Sequence, residues 1–446
     1  MAARHWLTGA ALLALSFTSA TAMAAPDLTA ANARLTALLD KEYPSLDAIY
    51  RDLHMHPELG MQEVRTAGIL AQNLRKAGFT VTEKVGGTGV VAVLKNGDGP
   101  TFLVRADMDG LPMEEKTGLP YASKARATYE GRATAVMHAC GHDTHVTYLI
   151  GVARALSAMR DSWSGTAVLI GQPAEESLEG ARAMLADGLF TRFPKPDFGF
   201  AAHVGPLPAG TVSIKAGASS SASDSYSITF HGRGGHGSMP SATIDPIPIA
   251  ARFVTDVQTV ISREKDAATF GVLTVGAFNA GSAPNIIPDA AEVKVNLRSQ
   301  SPAVRDLLKT GTARMAKAAA AMGNAPEPTI RYLTGAAVMM NDESMAETAR
   351  QALTPIFGKQ LVFAPASVPP MSGSEDFSEY VDAGVPSLFF GIGGYDSAVL
   401  ADLKAKGEPA PTNHSPFFAP MPEPAIRNAV TAIILSIVGG VRPEAK

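Results

Sequence analysis

Apolar residues recur at helical spacing from Leu28 to Leu53, with lysines and arginines between them, which predicts a long amphipathic helix. A second helical pattern covers Glu63–Ala77 and is closed by Gly78. The period then changes. Val81–Leu94 and Thr101–Val104 read as strands, and Asn96-Gly97-Asp98-Gly99 between them is a hairpin signal. Val146–Met159 is helical, Thr166–Ile170 and Phe198–Ala202 are short apolar strands, and Ala429–Val438 fits a packed core helix. Polar residues stand where the strands stop: Arg105-Ala-Asp107-Met-Asp109, Gln172-Pro-Ala-Glu175-Glu176, and His203. Strands alternating with helices, with charged residues at strand ends, predict a three-layer α/β domain.

Beyond Gly210 the texture shifts. A Ser/Ala-rich stretch, Ser219–Ser225, leads into a strand at Tyr226–Phe230 and the glycine-rich loop around His236. A helix near Pro246–Arg263, strands Leu273–Phe278 and Ala291–Leu297, a helix Val304–Met322 and a strand Thr329–Leu333 follow. That order is a β-α-β-β-α-β unit. Helix–strand alternation resumes near Val338, so residues 219–336 are expected to interrupt one domain made of 25–218 and 337–446.

With 446 residues and 46% hydrophobic content, the chain can bury large cores in two or three domains. A formal net charge of −4 argues against a nucleic-acid partner. Arg4 and His5 precede an apolar run from Trp6 to Phe17, and small residues lead to Ala22-Met23-Ala24. Residues 1–24 therefore read as a signal peptide cut after Ala24, which implies a secreted, periplasmic protein with no membrane association afterwards. The apolar run is too short to span a bilayer comfortably.

Met137–His145 reads Met-His-Ala-Cys-Gly-His-Asp-Thr-His and holds the only cysteine and three of the ten histidines. Cys140 and His142 can point at one centre if the segment is extended, and a thiolate with an imidazole suits zinc and its first-row neighbours. The alternative is a buried cysteine beside a capped helix start, since Asp143-Thr144 is also N-cap chemistry. Export bears on the choice, because exported cysteines normally pair and a single thiol persists if metal or deep burial protects it. Glu176, His203 and His414 extend the candidate set. Five ligands exceed one tetrahedral ion but suit two ions sharing a bridging group, with Cys140 as the bridge. Glu175, beside Glu176, is placed to take a proton from water, as metal-assisted hydrolysis requires. Taken alone, the Glu-Glu pair also fits a solvated helix start. His54 and His56, in a loop next to proline, read as structural or as ligands.

The segments RDLHMHPELGMQE, RADMDGLPMEE, MHACGHDTHV, GQPAEES, GRGGHGSMP, APNIIP, SGSEDFSEY and NHSPFF follow one another across roughly residues 45–420. In this the chain resembles the aminoacylase/carboxypeptidase superfamily of co-catalytic metallohydrolases, and within it the amidohydrolase branch that includes hippurate hydrolase and indoleacetyl-amino-acid hydrolases. The resemblance implies a zinc-peptidase-like α/β catalytic domain interrupted by a smaller ferredoxin-like α+β lid that makes a homodimer. It implies two divalent ions per subunit (zinc, manganese, cobalt or nickel) on Cys140, His142, Glu176, His203 and His414, with Glu175 as general base and Asp107 as a carboxylate behind the ligands. His236 would reach the partner subunit's site to stabilise the oxyanion, and Asn285, Arg298 and Gly373 would contact substrate. The chain departs from the peptidase branches, which have a metal-binding histidine at Arg105, and from branches with an aspartate at Cys140 and an acid at His203.

The expected activity is hydrolysis of the amide of an N-acyl amino acid, N-aroyl or N-acetyl. The rival activities are a carboxypeptidase or dipeptidase on short peptides. The rivals from other classes are an exported binding protein that captures without cleaving, and an interaction module whose insert serves assembly only.

Overall fold

The computed structural model describes residues 27–444, so the signal segment expected at residues 1–24 lies outside the described residues. Helix α1 runs Leu28–Met55 and α2 Val64–Lys76, close to the limits of their apolar periods. Asp27 starts α1 by accepting the N–H groups of Thr29 and Ala30.

Strands β1 (Thr80–Val85), β2 (Gly89–Asn96), β3 (Thr101–Asp107), β4 (Gly165–Gln172) and β5 (Phe198–Pro208) belong to a ten-stranded sheet. Their spatial order is β1-β2-β4-β3-β5, followed by Ser387–Tyr395. From β4 to Ser387–Tyr395 the strands are parallel, while β1, β2 and β4 pair antiparallel.

This order corrects the sequence reading. Val81–Leu94 is not one strand, because the chain turns at Gly86 and Gly87, both at positive φ, into the β1–β2 hairpin. Nor do β2 and β3 pair with each other, since β4 lies between them. Asn96–Gly99 does reverse the chain, but the Pro100 carbonyl then accepts the Thr166 N–H and the loop passes the start of β4. Strand β5 also continues past Ala202, so His203 lies within it rather than at its end.

Phe102, Val104 and Ala106 of β3 face a core shared with α1, helix α3 (His142–Ala158) and Pro422–Val438. Leu103 of β3 and Val168 and Ile170 of β4 face a second core with Met184, Phe377 and Tyr380. Strands covered on both faces need unbroken apolar runs, which is why they were readable as such.

The second sheet contains β6 (Ala222–His231), β7 (Gly271–Ala280), β8 (Ala290–Ser299) and β9 (Thr329–Ala336) in the antiparallel order β7-β8-β6-β9, the ferredoxin-like arrangement. Helices α4 (Pro246–Asp256) and α5 (Pro302–Met322) cover one face, over Val293, Val295 and Leu297. The helix expected to reach Arg263 ends at Asp256 and is followed by a π turn, Val260–Glu264. Arg298, on the opposite face of β8, donates to Ser374 Oγ at 2.8 Å, and Thr334 of β9 donates to the Ser177 carbonyl. These bonds seat the insert beside the ends of β3 and β4. Among the described residues no helix is long and apolar enough to cross a membrane.

Candidate metal centre

Three parallel strands deliver polar residues to one edge. Asp107 closes β3, Gln172 closes β4, and His203 follows Ala202 within β5. The segment before α3 crosses this edge. Gly141 separates Cys140 from His142 at φ 92, and a Cβ there would stand 2.4 Å from Val204 Cγ1, so only glycine lets both neighbours face inward. His414 arrives from the loop before the last helix, also at positive φ, tied by its N–H to the Ala139 carbonyl at 2.9 Å.

Backbone acceptors set the imidazole tautomers. His142 Nδ1 donates to the Asp109 carbonyl at 2.8 Å and His203 Nδ1 to the Val204 carbonyl at 2.8 Å. In the neutral rings both Nε2 atoms are therefore lone-pair donors. His203 Nε2 lies 3.4 Å from Cys140 Sγ. Potential ligand atoms of Cys140, His142 and His203 all lie within 4.8 Å of one another, as do those of Cys140, Glu176 and His414, and those of His142, Glu175 and Glu176. Cys140 is common to the first two groups. All five side chains singled out as ligands in the sequence thus gather at one edge, with Glu175 among them.

Two atoms here, His142 Nε2 and Glu176 Oε1, are buried without a hydrogen-bond partner among the described residues. An orphaned buried polar atom costs roughly 1–3 kcal/mol, so a ligand is called for. Thiolate, imidazole and carboxylate donors fit divalent zinc, manganese, cobalt or nickel. The surroundings agree in sign. Burial, Glu176 and Glu175 push the Cys140 thiol well above its ordinary value, and burial followed by Glu375 and Glu176 pushes the Glu175 carboxyl well above its own. Both shifts mark a site that is buried first and crowded with carboxylates second.

Residues 103–403 match Peptidase family M20/M25/M40. The chain belongs to this family. It is 40% identical over 341 residues to hippurate hydrolase of Campylobacter jejuni, covering 75% of this chain and 85% of that protein. It is 34% identical over 352 residues to N-acetylcysteine deacetylase of Bacillus subtilis, covering 77% and 86%. The crystal structure of a dinuclear metal-binding peptidase of the M20 family from Bacillus subtilis superposes with a TM-score of 0.69 at 29% identity, covering 93% of this chain and 99% of that one.

In this M20 chain Arg105 stands fully buried behind the candidate ligands, bonded to Asp107 at 2.5 Å, Glu375 at 2.8 Å and Asp376 at 3.0 Å. Its guanidinium is a fixed cation that compensates carboxylates the edge would otherwise leave uncompensated. Asp107 also bonds His145 Nδ1 at 2.5 Å and lies 3.7 Å from His142 Nε2. Burial would raise the Asp107 carboxyl, but His142, Arg105 and His145 hold it well below the carboxylate range.

The insert residues are placed differently. His236 is exposed and bonds only within its own loop among the described residues, to Ser238. Asn285 is exposed on the ladder opposite, its carbonyl accepting the Gly237 N–H. Arg298 bonds Asn296 as well as Ser374, and Gly373 is exposed with its carbonyl on the Ser221 N–H. Among the described residues His236 belongs to none of the ligand groups.

Sequence reasoning missed Asp109 and His145. Asp109 orients His142 through its carbonyl and accepts the Glu176 N–H on Oδ2 at 3.0 Å. His145 Nε2 accepts the Val204 N–H at 3.0 Å while Nδ1 donates to Asp107, which braces the strand beside His203. Both left a trace: His145 is three residues after His142 on α3, and Asp109 is two after Asp107. His54 is structural, bonding Asp143 at 2.6 Å and Glu115 at 3.1 Å, and Asp143 is therefore not the N-cap of α3, a position taken by Gly141.

Proposed function

We propose that this protein hydrolyses the amide bond of N-acyl amino acids with two divalent ions, releasing a carboxylic acid and a free amino acid. The observation that carries the reading is the sharing of Cys140 between two ligand groups, one with His142 and His203 and one with Glu176 and His414. The relatives named for hippurate and N-acetylcysteine act on N-acyl amino acids, which supports the substrate class.

Bound ions would supply Lewis acidity, lowering the pKa of water and withdrawing charge from an amide carbonyl. Glu175 takes the proton from the attacking water and returns it to the amine nitrogen as the C–N bond breaks. Its burial against Glu375 and Asp376 raises its proton affinity to suit both halves of that exchange. Arg298, with Ser374 and the exposed turn at Gly373, offers a site for the amino-acid carboxylate, and a guanidinium suits that group. His236 and Asn285, exposed on the insert, fit the part of a partner subunit's contribution to the oxyanion and carbonyl. The reading includes homodimerisation through the insert and export directed by residues 1–24.

Metal-loaded protein should cleave hippurate or N-acetyl amino acids faster than dipeptides. The peptidase name of the structural relative keeps a peptide substrate as the second reading, and the same panel separates the two. Glu175→Gln should abolish turnover with bound metal nearly unchanged, and retained turnover would remove Glu175 as the base. Mixing inactive His236→Ala with inactive Glu175→Gln protein should restore activity if sites are shared between subunits. Cell fractionation tests the export.

A further inference from the structure

Glu63 is fully buried at the N-cap position of α2, yet makes no cap bond to that helix. Glu58 caps α2 instead, accepting the N–H groups of Arg65 at 3.0 Å and Thr66 at 2.7 Å. The Glu63 carboxylate turns away, accepting the Ala174 N–H on Oε1 at 2.8 Å and the Thr88 hydroxyl on Oε2 at 2.5 Å. A carboxylate withdrawn from water costs several kcal/mol unless bonded. Its position is therefore explained by what it holds.

Ala174 stands at φ 46, the left-handed region that a residue with a Cβ enters at a cost of roughly 1–2 kcal/mol. The twist lies directly before Glu175 and Glu176. Beyond it Glu175 comes within 4.8 Å of Glu375 and Asp376, and Glu176 within 4.8 Å of Cys140 and His414. An extended backbone would also send the two side chains apart, but to opposite faces of a sheet; the twisted turn keeps both near His142. Gly60, three residues before Glu63, packs on the same turn, since a Cβ there would lie 3.2 Å from Ala174 Cα and 3.5 Å from Asp109 Oδ2. The Glu58 carbonyl accepts the Gly110 N–H at 2.7 Å, so the segment grips both turns that bear the ligands and their supports.

We infer that Glu63 is a positioning residue that holds the Ala174 turn and so sets where Glu175 and Glu176 point. The inference rests on the proposed metal and base roles for its consequence in catalysis, but not for the turn itself. What the turn needs is an acceptor for the Ala174 N–H. Glutamine can provide one, and its amide can donate to Thr88 Oγ. Burial and Asp109 push the Glu63 carboxyl up to about 7, so a neutral replacement is compatible with the site.

The test compares Glu63→Gln with Glu63→Leu. In metal-free protein, hydrogen exchange across residues 173–180 should be faster in Glu63→Leu and close to wild type in Glu63→Gln. After zinc loading, kcat should fall about 10- to 100-fold in Glu63→Leu with KM little changed, and bound zinc should drop below the wild-type ratio. Glu63→Gln should restore both. A Glu63→Leu protein with a lower melting temperature but wild-type exchange at 173–180 overturns the inference, as does a Glu63→Gln protein as impaired as Glu63→Leu. Wild-type protein that neither binds zinc nor hydrolyses the panel overturns the proposed function instead, and leaves the exchange result to judge Glu63.

Discussion

Cys140 concentrates the risk at the level of single residues, because both ligand groups contain it. Cys140→Ser replaces a thiolate with a hydroxyl, a poorer ligand, and should lower bound metal at both positions after dialysis. Undiminished metal and activity would count against a shared sulfur. His54 makes a different kind of prediction. Burial lowers its proton affinity, but hydrogen bonds and charge from Asp143 and Glu115 outweigh this and raise it to about 10. Tyr50 of its own helix, Tyr121 and His138 also face it. A folded pKa above the unfolded 6.5 means the pair contributes fully below about pH 6.5 and is lost as pH rises through 10. His54→Ala leaves two buried carboxylates without their cation and should cost roughly 3–5 kcal/mol in denaturant titrations near pH 6. The gap to wild type should narrow as pH approaches 10, and a gap independent of pH would refute the pairing. At this scale the candidate ligands were readable from the chain, since Cys, His and Glu announce their chemistry by identity. Asp109 showed only as one more acid at a strand end and Glu63 not at all, because a carboxylate supporting a backbone N–H looks in sequence like any other acidic residue.

The elements explain why the candidate ligands converge. Parallel β3, β4 and β5 end at one edge, and α3 begins there with His142 as its first residue. Gly141→Ala tests the junction. The new methyl would meet Val204 Cγ1 at 2.4 Å, in a backbone region that disfavours it. Overpacking costs typically 1–3 kcal/mol and left-handed strain adds roughly 1–2, so the melting temperature should fall and metal binding weaken. A variant as stable as wild type, with full metal, would show that the segment relaxes freely. Periodicity revealed α1, α2 and the body of α3 because one turn of helix records burial within four residues, but α3 begins at His142, a turn before the expected Val146. It did not reveal that β4 separates β2 from β3, since a turn of Asn96–Gly99 dictates reversal and not the identity of the neighbouring strand.

Across the molecule, ions bound only by the folded chain should stabilise it by mass action. Metal at about a hundred times its dissociation constant should add roughly 2.7 kcal/mol per site and raise the melting temperature, with chelator reversing the shift. A melting temperature indifferent to both would oppose a site formed by distant segments. The insert shares in this architecture through Arg298–Ser374 and Thr334–Ser177, which bring its polar face to the catalytic edge. Apolar period and residue chemistry, present in the chain itself, were enough to determine the layered α/β class, the order of strands and helices over residues 222–336 and the kinds of atom that could bind metal. Burial pattern is local, so spacing records it. Only tertiary structure decided the strand order, the imidazole tautomers and the grip of Glu63 on Ala174, because that bond joins residues 111 positions apart and nothing in local spacing marks which distant partner a folded chain will supply.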